Sequence, residues 1–302
     1  MAASALRTDG LTKYYGPVVG VEDLSLDVER GEIYGFLGPN GAGKTTTIRL
    51  LLDLLRPSRG SASVMGIDCR RASLDARRQI GYLPGELPIY PDLTAGDYLA
   101  FLAKVDGRPV APSDIEALCK RFDVSDVDLR RRLRDQSHGM KQKIGIIQAL
   151  MVRPAVAILD EPTSGLDPLM VEAFKQTLMD LKKEGRTTVF LSSHVLAEVE
   201  STCDRVGLIR SGRLIAIDTI EELRRKSPRR VTITFSKPVP AVLPPLPSLV
   251  LVEATAQRWV VDVAGPVGAL LSALAGLPVE DLEIEPFKLE DYVLKFYAPC
   301  AS

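Results

Sequence analysis

The 302-residue sequence predicts an α/β fold with a mainly parallel sheet over about its first 220 residues, followed by a small α+β domain. Three observations predict it. Short apolar runs with the character of buried strands alternate with segments of helical periodicity. A glycine-rich segment joins one such strand to one such helix. Composition then changes near residue 230: residues 231–302 carry 4 basic and 8 acidic residues and nine of the 21 prolines, within a chain of 38 basic and 39 acidic residues.

In chain order, Leu24, Leu26 and Val28 alternate with polar residues, as on a half-buried strand. Residues 33–37 (IYGFL) form a short buried strand that runs into glycine. Ile48, Leu51, Leu52 and Leu55 then recur at i, i+3, i+4 and i+7, one face of a helix that Pro57 and Gly60 close. Residues 95–152 are helical in pattern with no strand among them, which places a helical lobe at about 87–152, inserted into the α/β core. Residues 155–159 and 188–191 are further buried strands, the second followed by a helix through Leu196, Val199 and Cys203. Residues 206–209 and 214–217 flank Ser211-Gly212, a hairpin turn. Strands separated by helices imply a parallel sheet covered on both faces.

The basic stretch 224–230, punctuated by Pro228, reads as a connector, and the expected domains are 1–222 and 223–302. In the second, residues 231–235, 249–252, 259–263 and 282–284 read as strands, and residues 267–275 and 289–296 as helices.

Composition excludes several function classes. A formal net charge of −1 gives no whole-chain case for nucleic-acid binding. No apolar run approaches the roughly 20 residues of a membrane span, and the N-terminal residues hold no apolar stretch of a secretion signal. Cys69, Cys119, Cys203 and Cys300 lie far apart with no C-x-x-C pair, and the two histidines are His138 and His194. Reduced thiols are therefore expected, with neither a disulfide framework nor a zinc site.

The chemistry lies at three strand ends. Gly38-Pro39-Asn40-Gly41-Ala42-Gly43-Lys44-Thr45 fits G-x-x-x-x-G-K-[ST] and sits between a buried strand and an amphipathic helix. Such a loop turns successive backbone N–H groups toward phosphate oxygens at a helix N-terminus. Lys44 is then expected to reach the β- and γ-phosphates, and the Thr45 hydroxyl to help hold Mg²⁺. Asp160-Glu161 follows the apolar run AVAIL, where open α/β sheets bind ligands. Asp160 suits a water-bridged Mg²⁺, and Glu161 suits polarisation of the water that attacks the γ-phosphate. His194 ends the strand TVFLSS, on what should be the same sheet edge. Ser137, before His138 and Gly139, is a good helix N-cap.

On these residues the chain resembles the ATP-binding subunit of an ABC transporter over about residues 5–220. Residues 38–46, including Thr46, match the Walker A motif, and 155–161 the Walker B motif with its glutamate. Residues 164–167 resemble the D-loop, His194 falls at the switch histidine, and residues 136–140 fall at the signature. Tyr15 sits where the family stacks an aromatic ring on adenine. The resemblance implies a P-loop NTPase core with antiparallel N-terminal strands. It further implies ATP and Mg²⁺ as cofactors and a catalytic set of Glu161, His194 and Lys44.

As partners the resemblance implies a transmembrane permease in a separate chain and a second copy, or a homologous ATPase subunit, meeting head to tail. Ser137 and Gly139 of one copy would then face ATP held by the other. The implied location is peripheral, at the cytoplasmic face of the membrane, and the arrangement most resembles exporters of drugs, antibiotics or lipids. Soluble ABC ATPases of ribosomes or DNA repair fit less well. The chain has one cassette, and no sustained heptads separate Lys44 from Asp160. A nucleotide sensor without turnover is a third reading, against which Glu161 stands.

Two positions depart from the family pattern. His138 stands in a signature where a glycine is usual, and Gly85 stands where a Q-loop glutamine is expected, with Glu86 next. Glu86 is either a substitute metal ligand or a loop carboxylate that meets the membrane partner. The C-terminal domain serves dimerisation or regulation, or only lids the main core.

Overall fold

The computed structural model describes residues 4–87, 90–240, 248–285, 288–290 and 292–293. It divides into two compact units, Met1–Ile217 and Asp218–Ser302. In chain order the first unit contains β1 (Ser4–Tyr15), β2 (Val18–Glu29), β3 (Ile33–Leu37), α1 (Lys44–Leu51), β4 (Arg59–Val64), β5 (Ile67–Asp68), α2 (Ser73–Arg77) and β6 (Ile80–Leu83). The helical lobe follows as α3 (Ala95–Asp106), α4 (Pro112–Arg121), α5 (Asp126–Arg130) and α6 (His138–Leu150). Then come β7 (Val156–Asp160), α7 (Pro168–Glu184), β8 (Thr188–Ser193), α8 (Leu196–Thr202), β9 (Arg205–Arg210) and β10 (Arg213–Thr219), whose last two residues fall in the second unit.

Two sheets make up this unit. An antiparallel one is ordered β2-β1-β4-β5, and a six-stranded one β10-β9-β3-β8-β7-β6. In the larger sheet β6, β7, β8, β3 and β9 are parallel. The first sheet keeps the alternation read from the sequence: Leu24, Leu26 and Val28 are buried and their neighbours are not. The parallel strands β3, β7 and β8 are buried at every position, as strands covered on both faces must be. At the centre, the Phe190 ring lies parallel to Tyr34 at 5.9 Å and tilted against Phe36 at 5.3 Å.

Helix α1 is shorter than its apolar spacing predicts. It ends at Leu51, and Asp53 adopts a left-handed φ of 52°. Leu54 N–H donates to Arg49 O at 2.8 Å and Asp53 N–H to Leu50 O at 3.1 Å, the paired bonds of a Schellman cap. Leu55 still packs on the core, from beyond the helix end. Helix α6 is seated against β6 by backbone approach. A Cβ on Gly81 would lie 1.9 Å from Ala149 O, and one on Gly145 would lie 2.6 Å from Leu83 Cδ1. No helix among the described residues is long and apolar enough to cross a membrane.

The second unit holds α9 (Ile220–Lys226), β11 (Arg229–Phe235), β12 (Leu249–Ala254), β13 (Arg258–Val263), α10 (Gly268–Leu274) and β14 (Val279–Ile284). The unit boundary lies just before α9, whereas the sequence reading places it inside that helix. Ile220 and Leu223 of α9 are buried, and Tyr292 Oη donates to Asp218 Oδ2 at 2.9 Å. The sheet is antiparallel and ordered β12-β13-β11-β14. Its core is Val231, Ile233, Phe235, Trp259, Val261 and Val263, with Leu270 and Leu274 of α10. The Phe235 and Trp259 rings meet edge to face at 4.8 Å. Of the helix expected at residues 289–296, residues 289, 290, 292 and 293 are helical and the other four lie outside the described residues.

The cysteines behave as core residues. Cys69, Cys119 and Cys203 are free and buried, and burial pushes the Cys203 thiol up to about 12. An unfolded thiol ionises near pH 8.5. The unfolded chain therefore sheds this proton first, and that contribution lowers stability as pH rises above about 8.5. At pH 8, a thiol reagent should leave Cys203 unmodified in the folded protein and modify it once denaturant is added. Peptide mass spectrometry reads the outcome, and labelling of folded Cys203 at a free-thiol rate would contradict its burial.

Candidate active site

The parallel register brings three strand ends to one edge of the sheet. Leu37 pairs with Ser193, and Asp160 with Ser192. Beyond β3 the chain turns through the glycine-rich loop into α1. Gly43 sits at φ 112°, and a Cβ there would lie 2.7 Å from Gly20 O, so both the turn and the close approach require glycine.

Lys44 is 7% exposed and its ammonium is turned into the loop. Nζ donates to Gly38 O at 2.6 Å and Pro39 O at 3.4 Å, and lies 3.5 Å from Glu161 Oε1. Thr45 Oγ1 donates to Asp160 Oδ2 at 3.0 Å, and Ser192 Oγ donates to Asp160 Oδ1. The Asp160 carboxylate is thus buried with a hydroxyl on each oxygen. Nearby, burial together with the Asp160 charge pushes the Tyr82 hydroxyl up to about 12, so it stays neutral.

Glu161 has φ 52°, a left-handed backbone that is uncommon outside glycine. Its N–H donates to Ser192 O at 3.1 Å. His194 Nδ1 lies 2.5 Å from Glu161 Oε2, with the imidazole N–H donating to the carboxylate. One carboxylate therefore meets Lys44 on one oxygen and His194 on the other.

These groups line a cleft of about 460 Å³. The lining includes Pro39, Asn40, Gly41, Gly43, Lys44, Thr45 and Thr46 of the loop and α1, together with Asp160, Glu161, Ser164 and His194. Tyr15, Val18, Val19 and Gly20 from the β1–β2 hairpin close one end with mostly apolar surface, and Tyr15 is 43% exposed. Gly38 and Ala42 belong to the same loop but sit beneath the lining, where Gly38 O receives Lys44.

The other expected residues lie elsewhere. Ser137 caps α6, accepting from Met140 N–H at 3.2 Å, and neither it nor Gly139 lines the cleft. His138 packs on Gly165: a Cβ at 165 would lie 2.3 Å from its ring. Gly85 does line the cleft, and a Cβ there would lie 3.5 Å from Asp160 Oδ2, ordinary contact. Glu86 is exposed and outside the lining.

Three contributors escaped the motif reading. Ser192 braces Asp160, Gln142 binds the backbone after β7, and Thr163 Oγ1 donates to Glu198 Oε2 at 2.6 Å. The serine pair ending TVFLSS was the available signal for Ser192, since hydroxyls in an otherwise apolar buried strand need partners. Replacing Ser192 by Ala leaves one side of a buried carboxylate without its donor. Such a loss costs about 1–3 kcal/mol, and thermal denaturation of Ser192→Ala should show a midpoint several degrees below wild type. An unchanged midpoint would mean that Asp160 does not depend on this hydroxyl.

The cleft can hold a polyphosphate, with its Gly-rich loop and Lys44 for the anion, hard oxygen donors for a cation and a base-like carboxylate beside them. Comparison with known proteins agrees. Residues 21–164 match the ABC transporter family. The bacitracin transport ATP-binding protein BcrA of Bacillus licheniformis is 36% identical over 241 residues, 80% of this chain and 78% of that protein. The ABC transporter ATP-binding protein YcbN of Bacillus subtilis (strain 168) is 32% identical over 297 residues, 96% of each chain. A solved structure of the ATP binding subunit of an ABC transporter superposes with a TM-score of 0.68 at 32% identity, covering 74% of this chain and 92% of that one. With a P-loop between β3 and α1, and relatives matched over most of both lengths, this chain belongs to the ABC transporter family as an ATP-binding, ATP-hydrolysing subunit.

Proposed function

We propose that this subunit powers an exporter of an antibiotic, drug or lipid, through a permease in a separate chain at the cytoplasmic face of the membrane. The likeness to the bacitracin transport protein supports the substrate class. One observation carries the ATPase assignment: Lys44, Thr45, Asp160, Glu161 and His194 converge on a single cleft from α1 and from the ends of β7 and β8.

In this reading the loop 38–46 and Lys44 bind the β- and γ-phosphates, and Tyr15 stacks on the base. Thr45 and Asp160 fit Mg²⁺, because a hydroxyl and a carboxylate lie 3.0 Å apart as paired hard oxygen donors. Bound there, the ion supplies charge neutralisation for the phosphate oxygens. Glu161 orients the attacking water and accepts its proton, while His194 fixes the carboxylate through the bond to Oε2. Lys44 holds charge at the other carboxylate oxygen and at the phosphates.

Ser137 and Gly139 lie outside the cleft of their own chain, which supports their use on ATP held by a second copy. ATP that binds better between two chains than to one favours the closed pair, and hydrolysis removes that preference. The exposure of Glu86 fits a loop carboxylate that meets the permease better than it fits a metal ligand.

Glu161→Gln keeps size and removes the charge. ATP–Mg²⁺ binding should persist, while steady-state phosphate release should fall by about 10²–10⁴, the usual contribution of a positioned base. A variant that releases phosphate at the wild-type rate would remove Glu161 from the mechanism.

A further inference from the structure

Gln142 lies in the second turn of α6 and is 2% exposed. Its Nε2 donates to two successive backbone carbonyls, Glu161 O at 3.1 Å and Pro162 O at 2.9 Å. Two carbonyl oxygens at one end of a side chain accept only from N–H, so the NH₂ of the amide must occupy that end. The bonds begin at the residue with the left-handed backbone, Glu161 at φ 52°. A side chain with a Cβ persists in that region where its surroundings enforce it.

Glu161 is held from both sides. Strand β8 takes its N–H, through Ser192 O at 3.1 Å, and α6 takes its carbonyl, through Gln142. Between these two anchors the carboxylate faces Lys44 at 3.5 Å and His194 at 2.5 Å. Helix α6 packs closely on β6, where a Cβ on Gly81 would lie 1.9 Å from the backbone oxygen of Ala149 in α6.

We propose that Gln142 is a positioning residue for ATP hydrolysis: its carboxamide holds the carbonyls of Glu161 and Pro162 and so fixes the direction of the Glu161 carboxylate. The inference rests on the role of Glu161 proposed above. It separates Gln142 from nucleotide binding, since Lys44 and Thr45 are anchored by Gly38 O and Asp160 instead. It also gives α6 two tasks. Its start carries Ser137 as N-cap and Gly139, and the next turn reaches the backbone of the glutamate that acts in the cleft of its own chain.

The test uses the full chain and steady-state ATPase kinetics. Gln142→Met keeps length and volume and has no N–H to donate. Its kcat should fall about 10- to 100-fold, the scale of a small misplacement of a reacting group, with KM for ATP within about twofold. In a Glu161→Gln background the same change should lower the residual rate by less than about threefold, because the group it positions is already disabled. Should the Met variant not fold, Gln142→Asn, one methylene too short to reach both carbonyls, is expected to give the same pattern. Three results would overturn the inference: wild-type kcat in the Gln142 variants, a raised KM with kcat unchanged, or an equal loss in both backgrounds. If Glu161→Gln alone hydrolyses ATP at the wild-type rate, the role of Glu161 fails and this inference falls with it.

Discussion

Leu37 lies opposite Ser193 and Ser192 opposite Asp160, and nearly everything in the cleft depends on that parallel register. It sets the mouth of the Gly-rich loop beside the carboxylate end of β7 and the His194 end of β8. A one-residue slip of β8 would turn Ser192 from Asp160 to the other face of the sheet. The register is held by strands buried at every position and by the packing of Phe190 on Tyr34 and Phe36. The catalytic geometry is therefore a product of the core, and the loops only complete it.

The charges in the cleft are arranged so that none is buried alone. Asp160 has two hydroxyls, Glu161 has Lys44 and His194, and Lys44 has two loop carbonyls besides. Burying a charge without such partners is costly. Among these partners Lys44 and Thr45 line the cleft and are groups that a triphosphate or a cation can engage.

The left-handed backbone at Glu161 is the main local departure from regular structure in the cleft. Strain of this kind costs of order 1 kcal/mol or more and is kept where surrounding bonds fix it. Here β8 and α6 supply those bonds from opposite sides. The parallel sheet and the helical lobe thus meet at Glu161. The second unit has its own sheet-and-helix core around Trp259 and Phe235.

Much of this was legible in the sequence. Apolar runs with the period of a strand or a helix located β3, β7, β8 and α6, because burial on both faces leaves few polar residues to obscure the pattern. The spacing G-x-x-x-x-G-K-T located the phosphate loop, since the turn needs glycine where φ is positive and lysine where phosphate charge must be met. Asp160, Glu161 and His194 were legible by their places at strand ends. The tertiary structure decided what depends on distances between segments far apart in the chain. It seated Gln142 of α6 on the carbonyls after β7, set Ser192 against Asp160, left Glu86 in solvent beside a cleft that admits Gly85, and ended α1 at Leu51 through a backbone cap. A sequence records which groups are present. Which carbonyl a buried amide reaches is set by how closely two elements pack, and here that closeness comes from Gly81 and Gly145.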